Sequence, residues 1–275
     1  MTYREALVLG EKVLKTANIE DAKNDAWLLL AMACKIDHTY YFVHMDEEMQ
    51  ADQVKEYEGI LRKRGEHVPL QYITGEQEFM GMTFHVKSNV LIPRQDTETL
   101  VEEALHRVTS GMKVLDMCTG SGCVLISILE KCKGTTGVGV DVSKQALIVA
   151  KENARMYNVP AEFERSDLFE NIAEKFDMIV SNPPYIRSDE IPTLMPEVCE
   201  FEPLLALDGK EDGLFFYRRI VAESKEHLTD GGWLLFEIGC DQGQEVSDMM
   251  RYAGFSNVSV IKDLARNDRV VCGQL

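Results

Sequence analysis

Four consecutive residues, Asn182-Pro183-Pro184-Tyr185, have side chains and backbone groups suited to holding a planar amino group. They follow the apolar run FDMIVS, which is typical of a buried strand. The two prolines fix φ and lack an N–H, so this stretch presents carbonyl oxygens without competing donors. The Asn182 side-chain oxygen and a neighbouring carbonyl can accept both hydrogens of one NH2 group, and Tyr185 offers a flat wall. We predict that Asn182 and Tyr185 are catalytic and that all four residues bind substrate.

The chemistry that needs such a segment is methylation of an amide or aromatic amino group. The nitrogen of these groups is a poor nucleophile because its lone pair is delocalised. Hydrogen bonds accepted from both N–H groups return electron density to the nitrogen and aim its lone pair. Positioning within roughly 3–3.5 Å of an electrophilic methyl group can then supply most of the rate. The sequence therefore predicts methyl transfer without a strong general base.

A second group of residues predicts where a cofactor binds. The strand-like run VLDM leads into Cys118-Thr119-Gly120-Ser121-Gly122, and a helix follows. Glycine lets the backbone approach a ligand closely. Asp141 ends the next strand, where a carboxylate can accept both hydroxyl hydrogens of a ribose. This pair of features fits dinucleotide enzymes as well as methyltransferases, and an ordinary strand-to-helix turn with a capping aspartate also produces it.

Two observations favour S-adenosylmethionine over NAD as the cofactor. Leu125 stands where the third glycine of the dinucleotide fingerprint G-x-G-x-x-G would be. The Asn-Pro-Pro-Tyr segment is the second observation, because it suits an amino group that accepts a methyl. We expect no metal, because the cysteines and histidines lack the spacing of zinc ligands.

The second part of the chain, residues 91–275, reads as an α/β domain. A helix is predicted after Asp96 as its N-cap. From Lys113 onward, strands and helices alternate, which indicates a doubly wound parallel sheet. The final runs VSVIKD and DRVVCGQL predict an antiparallel hairpin at the edge of that sheet.

The first part, residues 1–75, reads as a small helical domain, opened by a capping box of Thr2 and Glu5. We expect this domain to recognise the substrate. Gly81 lies in a turn-like position between aromatic and β-branched residues, so residues 76–90 are predicted to form a hairpin linker.

Composition narrows the class of partner. The net charge is −17 and the isoelectric point is about 4.8. Proteins that grip a phosphate backbone usually carry a basic face, so direct nucleic-acid binding is disfavoured and a basic protein partner fits better. The sequence has no apolar run long enough for a membrane span and no secretory signal pattern. We therefore expect a cytoplasmic protein with reduced cysteines.

Over most of its length the sequence resembles the HemK family of protein-(glutamine-N5) methyltransferases. The segments that carry the resemblance are PLQYITG at 69–75, the hairpin residues Phe79, Gly81 and Phe84, LIPRQDTE at 91–98, and EP…AL…DGL…YR within 202–218. Asn-Pro-Pro-Tyr alone is shared with DNA adenine and cytosine methyltransferases. The I-P-R-x-D-T-E pattern is far more specific to this family.

The resemblance implies a seven-stranded, Rossmann-like class I methyltransferase domain behind a small N-terminal helical domain. It implies methylation of the glutamine in the Gly-Gly-Gln motif of class I peptide-chain release factors by a monomer. The implied cofactor-binding residues are Arg94, Cys118, Thr119, Gly120, Ser121, Gly122, Asp141, Leu168 and Asn182. Thr97, like Arg94, is expected close to the cofactor pocket, where both residues either contact the cofactor or only support the fold.

This sequence departs from the family pattern at three positions. Cys118 replaces the first glycine of D-x-G-x-G-x-G, Gln95 replaces a proline, and Leu168 stands where some members carry tryptophan. Three alternative functions remain at this point. They are glutamine methylation of a ribosomal protein, methylation of a DNA or RNA base, and a binding module that has kept the fold without the activity.

Overall fold

The computed structural model describes the whole chain, Met1–Leu275. It divides into two compact units. We call Met1–Gly75 with Met195–Phe201 the helical unit, and Glu76–Leu194 with Glu202–Leu275 the sheet unit. No sequence pattern predicts that a segment as late as Met195–Phe201 packs with the N-terminal helices.

The secondary structure comprises twelve α-helices and nine strands. The helices are α1 (Tyr3–Thr16), α2 (Ala22–Cys34), α3 (His38–His44), α4 (Ala51–Gly65), α5 (Leu70–Thr74), α6 (Glu98–Leu105), α7 (Cys123–Lys131), α8 (Lys144–Tyr157), α9 (Pro196–Cys199), α10 (Leu204–Leu207), α11 (Phe215–Ser224) and α12 (Gly243–Tyr252). The strands are β1 (Glu76–Phe79), β2 (Met82–His85), β3 (Lys113–Met117), β4 (Thr136–Asp141), β5 (Ala161–Arg165), β6 (Phe176–Ser181), β7 (Leu228–Glu237), β8 (Ser256–Lys262) and β9 (Asp268–Gln274). None of the helices is both long and apolar enough to span a membrane.

The helical unit packs α1, α2 and α4 around a continuous apolar core. The predicted capping box at the start of α1 is confirmed, because Thr2 and Glu5 exchange side-chain and backbone hydrogen bonds. Gly10 allows close packing of α1 on α4, since a Cβ there would lie 2.0 Å from the Tyr57 hydroxyl. That hydroxyl donates to the carbonyl of Ala26 on α2 at 3.3 Å, so one residue of α4 links all three helices.

A buried ion cluster holds α9 within the helical unit. The guanidinium of Arg64 donates to Asp25 Oδ2 at 2.7 Å and to Glu197 Oε1 at 3.2 Å. His67 Nδ1 lies 3.1 Å from the same Glu197 oxygen. Arg64 and Asp25 are almost fully buried, so this cluster replaces the hydration that its charges lose on folding.

The sheet unit contains a seven-stranded sheet of order β5-β4-β3-β6-β7-β9-β8. The first five strands in this order are parallel, and β9 pairs antiparallel with both β7 and β8. The predictions of a doubly wound sheet and a C-terminal antiparallel hairpin are therefore confirmed. The last strand of the chain, β9, lies between β7 and β8, so β8 forms the edge of the sheet.

Helices cover both faces of this sheet, and the strand residues alternate between the two resulting cores. Leu234 and Phe236 of β7 point into the core that includes α11 and α12. Leu235, between them, points into the core that includes α6 and α7. This arrangement explains why the strand reads as an uninterrupted apolar run, since both of its faces are covered.

The segment before β3 contains the predicted hairpin of β1 and β2, which turns at Met80 and Gly81. The prediction that Asp96 caps the following helix is wrong. Gln95–Thr97 form a 3-10 turn and α6 begins after Thr97. The Asp96 carboxylate instead lies 3.0 Å from the Arg269 guanidinium on β9, which draws it away from the helix end.

Candidate active site

A cavity opens at the carboxyl ends of β3, β4 and β6, where open α/β sheets bind ligands. Six of the residues singled out in the sequence line it: Cys118, Gly120, Asp141, Leu168, Asn182 and Pro184. The other predicted site residues are not on its wall: Arg94, Thr119, Ser121, Gly122, Pro183 and Tyr185. Residues from both halves of the predicted site thus share one cavity.

The turn after β3 has a backbone that explains its composition. Cys118, Gly120 and Gly122 all have positive φ, at 62°, 56° and 81°. Glycine is favoured in this left-handed region, so Cys118 occupies a position that costs a side chain about 1–2 kcal/mol. The cysteine keeps the left-handed conformation and still lines the cavity. Burial raises the pKa of its thiol, so the sulfur is neutral at physiological pH.

Three of the predicted residues support this turn from behind the cavity. The Thr119 hydroxyl donates to Asp116 Oδ2 at 2.5 Å, and the Ser121 carbonyl accepts from Asn153 Nδ2 at 2.9 Å. A Cβ on Gly122 would lie 2.9 Å from a side-chain carbon of Ile126, so this glycine permits close packing. Burial raises the pKa of Asp116 to about 7. Sequence reasoning missed Asp116, although a carboxylate inside the apolar run VLDM was visible.

Asp141 ties the end of β4 to the glycine turn. Its Oδ2 accepts from the Gly120 N–H at 3.0 Å and its Oδ1 accepts from the Ser143 N–H at 2.8 Å. Burial raises the pKa of this carboxyl, and the backbone N–H groups act in the opposite direction by favouring the charged form. Each oxygen has a further lone pair. The carboxylate can therefore hold the turn and still accept hydrogen bonds from a ligand in the cavity.

The reaction half of the predicted site begins where β6 ends. The Asn182 side chain lies at the cavity and donates through Nδ2 to Thr97 Oγ1 at 3.3 Å. The Tyr185 ring is not on the cavity wall, and its hydroxyl lies 3.4 Å from Glu237 Oε1. Burial raises the pKa of Tyr185, which keeps the phenol protonated, and it raises the pKa of Glu237 to about 7.

Arg94 does not line the cavity and affects it only through Glu202. Its guanidinium pairs with the buried Glu202 carboxylate, which also accepts from the Ile92 N–H at 3.2 Å. The residue after Glu202 is Pro203, which lines the cavity with Leu205 and Ala206. Arg94 therefore supports the segment that forms one wall of the cavity. Support of the fold is one of the two roles that the sequence left open for this residue.

Several wall residues were missed by sequence reasoning. They come from three places: Asn89, Val90 and Leu91 before α6; Val142, Ser143 and Ala146 after β4; and Pro203, Leu205, Ala206 and Phe216 near α10 and α11. The first and last groups lie in or beside segments that carry the family resemblance, so a signal was present. No pattern identified the group after β4. The structure has no group of three or more His, Cys, Asp or Glu residues that could hold a metal ion.

Comparison with known proteins identifies the family of this chain. Residues 5–75 match the family described as PrmC N-terminal domain, and residues 94–197 match the methyltransferase small domain family. A release factor glutamine methyltransferase of Clostridium acetobutylicum is 42% identical over 98% of each chain. One of the same name from Geobacter sulfurreducens is 38% identical over 100% of this chain and 97% of its own. A methyltransferase crystal structure from Pyrococcus furiosus covers 71% of this chain and 90% of its own, with 16% identity and a TM-score of 0.55, which supports the fold alone.

Proposed function

The chain belongs to the family of release factor glutamine methyltransferases, and from that membership we propose how its cavity works. It transfers a methyl group from S-adenosylmethionine to the side-chain amide nitrogen of the glutamine in the Gly-Gly-Gln motif of class I release factors. One observation carries the proposal: Asp141 and Asn182, a ribose acceptor and an amide acceptor, line the same cavity.

The residues of the cavity fit an adenosyl cofactor. Asp141 would accept hydrogen bonds from the ribose hydroxyls, and Gly120 has open space where a side chain would stand. Leu168 and Val142 give an apolar surface that suits a purine face. When bound, S-adenosylmethionine supplies an electrophilic methyl group on a positively charged sulfur.

Asn182 would act on the substrate amide by accepting a hydrogen bond through Oδ1, because its Nδ2 is already engaged with Thr97. A backbone carbonyl of the proline segment would accept the second N–H. Holding both N–H groups orients the nitrogen lone pair along the line of attack. The proton that becomes acidic on methylation leaves afterwards, so the site needs no strong base.

Cofactor affinity should depend on Asp141. Asp141→Ala is expected to weaken S-adenosylmethionine binding by about 1.5–3 kcal/mol, roughly 10- to 100-fold, because hydrogen bonds to a charged group are lost. Asp141→Asn keeps one acceptor oxygen and should lose less. Asp230→Ala, an exposed carboxylate on β7 outside the cavity, is the matched control and should bind normally. An unchanged calorimetric affinity for Asp141→Ala would remove the ribose assignment.

The proposed substrate is tested by direct competition. Equal amounts of a class I release factor, ribosomal protein, DNA and RNA are incubated with the enzyme and methyl-labelled S-adenosylmethionine. We expect the label in the release factor. Label in the ribosomal protein alone would show that this glutamine methyltransferase acts on a ribosomal protein and not on the release factor. Label in DNA or RNA without the release factor would replace the proposal with base methylation.

A further inference from the structure

The hydroxyl of Thr97 is the one side-chain group that hydrogen-bonds the Asn182 amide. Thr97 is 2% exposed and follows the two other residues of the 3-10 turn ahead of α6. Its backbone N–H donates to the Arg94 carbonyl at 3.1 Å, so the main chain around it is fixed. The two side chains are 85 residues apart in sequence and meet beside the cavity.

The Thr97 hydroxyl also interacts with a buried carboxyl group, that of Glu237. Glu237 ends β7, is 1% exposed, and has one carboxylate oxygen, Oε2, with no hydrogen-bond partner. Burial raises the pKa of Glu237. The largest influence that lowers this pKa is a hydrogen bond from Thr97, and the next is the positive charge of Arg269. The Tyr185 hydroxyl donates to the other oxygen. Two hydroxyl groups of the reaction site, those of Thr97 and Tyr185, thus favour the charged form of this one buried carboxyl group.

This arrangement limits the orientation of the Asn182 side-chain amide. The charged form of Glu237 only accepts hydrogen bonds, so the Thr97 hydroxyl gives its single hydrogen to that carboxylate, and Thr97 Oγ1 can then only accept from Asn182. Its neighbour must then be the Nδ2 of Asn182. The two orientations of the Asn182 amide are nearly equal in shape, so shape alone does not select one. The flipped orientation would place Asn182 Oδ1 against the lone pairs of Thr97 Oγ1, which is repulsive. The hydrogen-bond directions therefore select one of them.

We infer that Thr97, backed by Glu237, is a positioning residue that orients the Asn182 amide so that Oδ1 faces the methyl-accepting nitrogen. The inference rests on the proposed role of Asn182 as an acceptor. Without the Thr97 hydroxyl, the amide samples both orientations, and in one of them it presents a donor where the substrate N–H also donates. The enzyme would still bind its cofactor, but a fraction of complexes would be misaligned for transfer.

The test begins with Thr97→Val, which keeps the shape of the side chain and removes the hydroxyl. We expect kcat on the release factor to fall about 5- to 20-fold, the scale of one lost hydrogen bond, with unchanged S-adenosylmethionine affinity. Thr97→Ser restores the hydroxyl and should recover most of that loss. A purely structural role would lower thermal stability or cofactor affinity together with kcat, and serine would give no specific rescue.

A double-mutant cycle then separates positioning from general damage. In an Asn182→Ala background there is no amide to orient, so Thr97→Val should change single-turnover transfer less than twofold. An additive loss in that background would overturn the inference. Thr97→Ala serves in the same cycle if the valine variant does not fold. Wild-type labelling of the release factor is measured first, so failure of the proposed function shows as no labelling by any variant, whereas failure of the positioning role leaves wild-type labelling intact.

Discussion

Replacing Asn182 with alanine should lower kcat for release-factor methylation by about 10²–10³ while leaving most of the cofactor affinity in place. The expected loss has the size seen when one preorganised hydrogen-bonding group is removed from a transition state. Asn182 is suited to this role because it follows β6 directly and lines the cavity, with its Nδ2 held by Thr97. Single-turnover kinetics with labelled cofactor measure the effect, and calorimetry measures cofactor binding separately.

Tyr185 supplies the comparison for this experiment. Tyr185→Phe removes only the hydroxyl that donates to Glu237 and should be milder than Tyr185→Ala, which also removes the ring. Both Tyr185 variants should lower kcat less than Asn182→Ala does, because the Tyr185 ring is not on the cavity wall. If Asn182→Ala kept a kcat within a few-fold of the wild type, the amide would not be the acceptor that the mechanism requires.

The largest stability effect is expected in the helical unit. Arg64→Ala should lower the free energy of unfolding of this unit by about 3–5 kcal/mol, because it leaves Asp25 and Glu197 without their shared cation. Burial already raises the pKa of Asp25, and Arg64 acts against that rise. Urea denaturation followed by the fluorescence of Trp27, in a Trp233→Phe background, reports on the helical unit alone.

Arg4→Ala is the matched control for Arg64→Ala. Arg4 also donates to a carboxylate, Asp46, at 2.8 Å, but both side chains are exposed. Exposed ion pairs contribute little because water and salt screen them. The control should therefore unfold at nearly the wild-type urea concentration. Equal losses for the two arginine variants would show that burial of the Arg64 cluster does not determine its contribution.

The parts of the fold that the sequence predicted are those with strong local patterns. The strand predicted to end at Asp141 is β4, which ends at that residue, and the alternating C-terminal runs predict the antiparallel pairing of β8 and β9. Helix α3 was missed because HTYYFVH is rich in aromatic and β-branched residues, which have low helix propensity. Its helical start depends on Asp37, whose carboxylate accepts from the Tyr40 N–H at 2.7 Å.

The parts that the sequence could not predict depend on contacts between distant residues. Arg64 and Glu197 are separated by 133 positions, and neither lies in a motif that indicates a partner. The Asp96 carboxylate was assigned to a helix cap because the local pattern allows it, but Arg269 offers a stronger, charged partner. Glu237 shows the same limit: an acid within an apolar strand marks an unusual position, but its partners at Thr97 and Tyr185 emerge only from the fold.

The most direct test of the account is the position of the new methyl group. After incubation of a class I release factor with the enzyme and S-adenosylmethionine, tandem mass spectrometry of the peptide that contains Gly-Gly-Gln should find one added methyl on the glutamine side chain. A release factor with asparagine in place of that glutamine should stay unmodified, because the shorter side chain cannot bring its amide to the methyl group. A methyl group on any other residue, or methylation of the asparagine variant at the wild-type rate, would contradict the account.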